Sequence, residues 1–211
     1  MSLYPVFVDA SRCRALVVGG GAVATRKVRG LVDAGARPTI VSPDLTPELK
    51  ALVREHALAY EARPYVSADV ADAHIVFAAT DRADVNARVA ADAEAAGALA
   101  NVADDGEGST FHVPAVVRRD DVVVALSTGG ASPLLARRVK ERLEEVVTEG
   151  LGRAARRLRT VRDEIQARWP SDERRRRDAW FGLVTPEFLD DAVAGRDGDV
   201  ETRIARCLSQ S

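Results

Sequence analysis

Apolar and polar positions follow two alternating periods along the first half of the chain. Short unbroken apolar runs of strand length end in glycine, serine or threonine. Each is followed by a stretch whose apolar residues recur three and four apart. The runs at residues 14–19, 38–42, 58–62, 75–79 and 99–102 predict five strands. The amphipathic stretches predict helices over 22–34 and 84–96, each stopped by a glycine (Gly35, Gly97), and a third opening at Thr46-Pro47. Strand and helix alternate up to about Thr110, which predicts a parallel sheet covered on both faces. The segment Tyr4-Pro5-Val6-Phe7-Val8 is apolar but interrupted by proline, so it is expected on a sheet edge.

Beyond Asp104 the pattern changes. Residues 105–109 read as a loop, and 113–117 and 122–127 as two strands with no helix between them. Pro133 then opens a helix with Leu134, Leu135, Val139, Leu143, Val146 and Val147 along one stripe. From Gly150 onward the chain reads as helices separated by breaks at Trp169-Pro170 and Val184-Thr185-Pro186. The expected organisation is α/β: a Rossmann-type parallel sheet over 1–112, a strand-helix segment over 113–148, and a small all-helical C-terminal domain over 149–211.

Composition narrows the function classes. The 211 residues can bury a sizeable core, and 29% charged content with a net charge of −2 reads as soluble and gives no general reason to bind nucleic acid. No apolar run is long enough to cross a bilayer and no signal sequence is evident, so a cytoplasmic, non-membrane protein is expected. Cys13 and Cys207 have no CxxC partner, and His56, His74 and His112 have no carboxylate or thiol at ligand spacing, so no protein-built metal site is expected. The arginines gather in the last third, from Arg137 and Arg138 through Arg174 to Arg177. They read as solvated faces paired with acids, or as a field that draws in a strongly anionic ligand.

The chemistry concentrates where strands end. Val18-Gly19-Gly20-Gly21-Ala22-Val23-Ala24 is a strand running into a helix through glycines, which suits a dinucleotide pyrophosphate. Gly19 permits the turn, Gly21 lets backbone approach phosphate, and Ala24 is small enough for close helix–strand packing. The second strand ends Ser42-Pro43-Asp44, with the ribose-binding acid arriving late; Asp44 either reaches the ribose or only decorates the turn. With no Arg or Lys directly after that strand, NAD is expected over NADP. Thr80, at the end of the fourth strand, faces the cofactor or caps the next helix. Asp104, just past the fifth strand, acts as a proton acceptor or as a turn former. Ser127-Thr128-Gly129-Gly130-Ala131-Ser132-Pro133 is either a second anion cradle or a well-made helix start.

Taken in order, these segments resemble the siroheme-synthase dehydrogenase family of precorrin-2 dehydrogenases, some of which are also sirohydrochlorin ferrochelatases. The resemblance rests on Tyr4-Pro5-Val6-Phe7, the glycine turn with Arg26-Lys27, Ala78-Ala79-Thr80-Asp81, Asn86, Asn101-Val102-Ala103-Asp104, Phe111, Pro114, and Ser127 to Pro133 followed by Leu135-Ala136-Arg137. It is strong through about Leu143 and weak in the tail. It implies NAD-dependent oxidation of precorrin-2 to sirohydrochlorin by an intertwined homodimer, with residues 113–148 as the dimerisation segment. Ferrochelation, with Fe2+ as a substrate, is left open.

By resemblance, dinucleotide contacts fall at Ala22, Val23, Pro43 and Asp44, and the functional aspartate at Asp104. Asn101, Ser127, Thr128, Gly129, Ser132 and Arg137 stand as candidate substrate contacts. Thr128 replaces a serine that some members phosphorylate, which puts that regulation in doubt. The chain length leaves no room for the methyltransferase domain fused in some relatives, so methylation is expected elsewhere. The alternative reading is a dinucleotide-sensing regulatory module without catalysis.

Overall fold

The computed structural model describes residues 3–103, 105–106 and 108–209, in two compact units divided after Val113. The first unit contains strands β1 (Ala15–Val18), β2 (Thr39–Val41), β3 (Tyr60–Glu61), β4 (Ile75–Ala78) and β5 (Leu99–Val102). They form one parallel sheet in the order β3-β2-β1-β4-β5. Helices α1 (Ala22–Asp33), α2 (Pro47–Glu55) and α3 (Ala83–Ala95) connect them.

The continuous apolar runs follow from burial on both faces. Successive residues of β1 point to opposite sides, so Val17 packs with Val28 and Leu31 of α1 and Leu49 of α2. Leu16 and Val18 pack with Val89 and Ala93 of α3. Each fully buried valine contributes about 1.5–3 kcal/mol relative to exposure.

Two sequence expectations change. Residues 4–8 form no strand, and Tyr4 and Phe7 are exposed. Neither sheet edge offers that segment a long partner. One edge is the two-residue β3, shorter than the predicted 58–62, and the other, β5, is occupied by its own downstream loop.

The second unit pairs β6 (Ala115–Arg119) with β7 (Val122–Leu126) as an antiparallel hairpin. It continues through α4 (Pro133–Val146), α5 (Glu149–Arg168), α6 (Glu173–Leu183), α7 (Pro186–Val193) and α8 (Asp197–Ser209). Side-chain oxygens of Ser132, Thr148, Asp172 and Thr185 cap α4 to α7. Val161, Ile165, Leu183, Phe188, Ala192, Val200 and Ile204 make its core. Helix α5 meets the hairpin closely: a Cβ on Gly152 would stand 2.8 Å from the Arg119 carbonyl oxygen. Arg159 pairs with Asp121 at 2.7 Å. The stripe foreseen on α4 is not covered, since Leu134, Leu135 and Val146 are exposed. No helix among the described residues is long and apolar enough to cross a membrane.

Candidate functional site

The glycine turn is built by close approach. Gly19 adopts φ +126°, a conformation that side chains disfavour, and a Cβ there would lie 2.2 Å from the Ala79 carbonyl oxygen at the end of β4. Gly20 abuts the β2–α2 connection, where its Cβ would fall 1.8 Å from the Asp44 carbonyl oxygen. Above Gly21 there is open space, with no atom within 4 Å of a Cβ.

Gly21 is the N-cap of α1, whose first turn holds no acidic residue. The first helical bond is donated by Thr25 N to Gly21 O, at 2.9 Å. The N–H groups of Ala22, Val23 and Ala24 therefore have no acceptor within the helix, and the N-terminal end of its dipole is not offset by a carboxylate in that turn. Ala24 itself is fully buried, so at this position small size serves packing.

The β2–α2 turn is laced to this glycine loop. Thr46 N donates to Gly20 O at 2.9 Å, and the Thr25 and Thr46 hydroxyls lie 3.0 Å apart. Ser42 is buried and spends its hydroxyl on the Asp44 carbonyl, at 2.7 Å. Thr80 is also engaged. Its hydroxyl donates to Asn86 Oδ1 at 2.7 Å and accepts from Arg82 N at 3.2 Å, while Asn86 Nδ2 donates to Thr80 O at 3.1 Å. Thr80 thus orders the start of α3 while lining the same cavity as the glycines.

That cavity measures about 820 Å³ and lies at the carboxyl ends of β1, β2 and β4. Strand order reverses between β1 and β4, the place where open α/β sheets take ligands. Of the candidate cofactor residues, Gly19, Gly21, Ser42, Pro43, Asp44 and Thr80 line it, whereas Ala22, Val23 and Ala24 flank it on α1. Two arginines stand in the wall, both with partners. Arg82 is bonded to Asp84 at 2.6 Å, and Arg88 donates to the Tyr65 carbonyl at 3.0 Å. The Tyr65 hydroxyl donates to Asp92 at 2.8 Å. Burial and that bond push the phenol up, and the same bond, with one from Ser67, holds the Asp92 carboxyl below its ordinary range.

Sequence reasoning missed how β5 is closed. Its outward N–H groups, Ala100 N and Val102 N, donate to Thr110 Oγ1 at 2.7 Å and Ser109 Oγ at 2.9 Å. Asn101 lies in register with Phe77 of β4 and is bonded at both ends of its amide. Lys27 Nζ donates to Oδ1 at 2.9 Å, and Nδ2 donates to the Phe111 carbonyl at 3.0 Å. The only local signal was a polar residue inside an apolar strand. The candidate base Asp104 lies outside the described residues.

The remaining candidates belong to the second unit. Ser127 Oγ accepts from Gly129 N at 3.1 Å, and Ser132 Oγ accepts from Leu135 N at 3.2 Å. Ser132 N donates to Thr128 Oγ1 at 3.4 Å, and Gly129 and Gly130 take φ values of +61° and +84°. Arg137 pairs with Glu141, and Arg153 and Arg157 pair with Asp197 and Glu201. Much of the tail's positive charge is thus matched locally, as solvated helix faces require. Among the described residues no cluster of His, Cys, Asp or Glu suits a metal ion.

Comparison with known proteins gives concordant matches. A family model described as "Putative NAD(P)-binding" covers residues 6–115, and one described as "Sirohaem biosynthesis protein central" covers 121–145. The chain is 41% identical to a siroheme synthase of Chromobacterium violaceum over 210 residues, covering 97% of this chain and 44% of that protein. It is 39% identical to siroheme synthase 1 of Aeromonas salmonicida over 208 residues, covering 99% and 44%. The chain therefore spans less than half the length of these relatives. A solved structure, "SirC, precorrin-2 dehydrogenase", superimposes with a TM-score of 0.76 at 25% identity, covering 97% of this chain and all of that one.

Proposed function

Because the chain belongs to the siroheme-synthase family of NAD(P)-binding proteins, we propose that it oxidises precorrin-2 to sirohydrochlorin with NAD+ as hydride acceptor. One observation carries this reading. The glycine turn opens on a cavity at the sheet's reversal point, in a chain whose fold matches a precorrin-2 dehydrogenase over 97% of its length. The residues suit a dinucleotide. The space above Gly21, the N–H groups of Ala22, Val23 and Ala24 and the acid-free first turn fit a pyrophosphate. Pro43 and Asp44 line the wall expected to hold the adenosine ribose.

NAD is favoured over NADP by the same wall. A carboxylate at Asp44 would repel a 2′-phosphate. Arg63, just past β3, is committed to Asp69 in two hydrogen bonds of 2.9 and 2.7 Å.

The bound nicotinamide would supply the hydride acceptor. The protein's part is to hold the macrocycle at the carboxyl end of the sheet and to accept a proton. The substrate loses a hydride with its electron pair and one proton, which together extend its conjugation. We assign the proton to the carboxylate of Asp104, three residues beyond Asn101. Ser127, Thr128, Gly129, Ser132 and Arg137 are proposed to meet the substrate's carboxylates. The exposed Leu134, Leu135 and Val146 of α4 are proposed to pair with a second copy, with residues 113–148 as the dimerising segment. Cys13 and Cys207 are free, in keeping with a reducing cytoplasm.

Enzymatically prepared precorrin-2, mixed with the protein and NAD+, should yield sirohydrochlorin and NADH in equal amounts. NAD+ binding without turnover would instead favour a sensing module.

A further inference from the structure

The edge strand β3 is two residues long, yet one of its side chains reaches past the end of its ladder. That ladder with β2 stops at Ser42, whose N–H donates to the Glu61 carbonyl at 3.2 Å. Beyond it Pro43 has no N–H to offer, and the chain leaving β3 turns back, with Arg63 N donating to Glu61 O at 2.9 Å. The next two carbonyls of the β2–α2 turn are met by a side chain instead. The Tyr60 hydroxyl donates to Ser42 O at 3.1 Å and to Pro43 O at 3.3 Å, sharing its one hydrogen between them.

The Tyr60 ring is half-buried against the core cluster that holds Val17, Ile40 and Leu49, so the reach of its hydroxyl is set by packing. A phenylalanine would fill that space equally well. The two carbonyls do not require a protein donor either, since the bond to Pro43 O lies in the open, where water can serve. What a hydroxyl on an anchored ring adds is a fixed position for the turn. Ser42, Pro43 and Asp44 line the cavity, whereas Tyr60 stands behind them and does not. On the other side the same turn rests on the glycine loop, through Thr46 N and Gly20 O.

We propose that Tyr60 is a positioning residue for the dinucleotide, bracing from behind the turn whose Pro43 and Asp44 face the adenosine ribose. This rests on the dinucleotide reading given above, and adds to it a residue that acts without touching the cofactor.

Tyr60→Phe tests this on the full chain, since the ring and its packing remain and one donor goes. By calorimetric titration it should bind NAD+ about three- to tenfold more weakly, the usual effect of one lost hydrogen bond. ADP-ribose should lose the same factor, because the braced turn faces the adenosine half. With NAD+ saturating, kcat should stay within about twofold, so that the loss appears in KM. Leu58→Val separates positioning from stability. It opens space in the same core two residues before Tyr60, and should lower Tm at least as far as Tyr60→Phe while leaving NAD+ affinity within about twofold. Equal NAD+ affinity in Tyr60→Phe and wild type, an intact ADP-ribose affinity, a loss confined to kcat, or an equal loss in Leu58→Val would each overturn the proposal. The binding arms decide it whether or not precorrin-2 is oxidised. A wild-type protein that does not bind NAD+ would overturn the dinucleotide reading instead. Amide hydrogen exchange in the free protein then decides the brace: it should quicken at Asp44 and Leu45 in Tyr60→Phe, and unchanged exchange there would overturn it.

Discussion

Gly20 and Asp44 meet backbone to backbone: a Cβ on Gly20 would stand 1.8 Å from the Asp44 carbonyl oxygen. The contact is reinforced by Thr46 N, which donates to Gly20 O at 2.9 Å. No side chain larger than hydrogen fits unless the β2–α2 turn retreats, and that turn carries one wall of the cavity. Gly20→Ala should therefore both lower Tm and weaken NAD+ binding by tenfold or more, about 1.4 kcal/mol per decade. Calorimetric titration beside a thermal melt measures both. Undiminished affinity would remove the β2–α2 turn from the dinucleotide site.

Gly21 makes the opposite case. Its φ is −84° and its Cβ would meet nothing within 4 Å, so alanine is tolerated by the fold itself. Gly21→Ala should melt at or slightly above the wild-type temperature, because alanine restricts the unfolded chain. It should still bind NAD+ several-fold more weakly, since its methyl group occupies the space assigned to the pyrophosphate. Equal binding by the two proteins would show that the phosphates lie elsewhere.

The contrast between these glycines shows what the sequence could and could not reveal. An apolar run striking glycines and then a helical period identifies the turn, since strand, glycine and helix propensity are local properties. That Gly20 is crossed by Asp44 depends on two segments meeting in space, and no spacing encodes it. The same holds for Lys27 with Asn101, seventy-four residues apart, which meet only because α1 packs on the sheet beside β5. The expected strand at residues 4–8 failed for a related reason. Apolar composition gives a segment the capacity to pair but does not supply a sheet edge.

On the proposed reading, Asp44 bears on cofactor choice. Exchanging it for arginine replaces a charge that repels a 2′-phosphate with one that attracts it, at a position lining the cavity. The ratio of kcat/KM for NAD+ over NADP+ should fall by at least tenfold in Asp44→Arg. Steady-state assays with both dinucleotides decide it, and an unmoved ratio would mean that the ribose lies away from Asp44.

Asp104→Asn separates binding from chemistry. The amide keeps the size of the carboxylate but cannot take the proton released on oxidation. NAD+ affinity should be unchanged while precorrin-2 oxidation falls by about 10²–10⁴-fold, the usual worth of a general base. Near-normal turnover would take Asp104 out of the mechanism.

Helix α4 should reveal how the chain assembles. Leu134 and Leu135 are 64% and 52% exposed at the start of a helix that buries none of its own residues. Apolar side chains left open in this way mark contact surfaces when they cluster. Replacing both with aspartate should turn a dimer into a monomer in light scattering, with the sheet domain still able to bind NAD+. A wild-type chain that runs as a monomer would remove the dimer from the reading.

Asp191 should contribute to the acid stability of the helical unit. It is buried on α7 and accepts from Arg203 Nε at 2.7 Å and Arg196 Nε at 2.8 Å. Those bonds, Arg203 first, hold its carboxyl below the ordinary range. A depressed carboxyl contributes stability in full above its unfolded pKa of about 3.9, and loses it as pH falls through the lower folded value. Asp191→Asn cannot titrate and leaves two arginines without their shared acceptor charge. It should melt below the wild type at pH 7, by about 4–8 °C per kcal/mol lost if the unit behaves as a domain of 60–100 residues. The gap between the two proteins should narrow as the buffer is taken below pH 4. A gap that stayed constant from pH 7 down to pH 3 would mean that the arginines are not acting on an ionised Asp191.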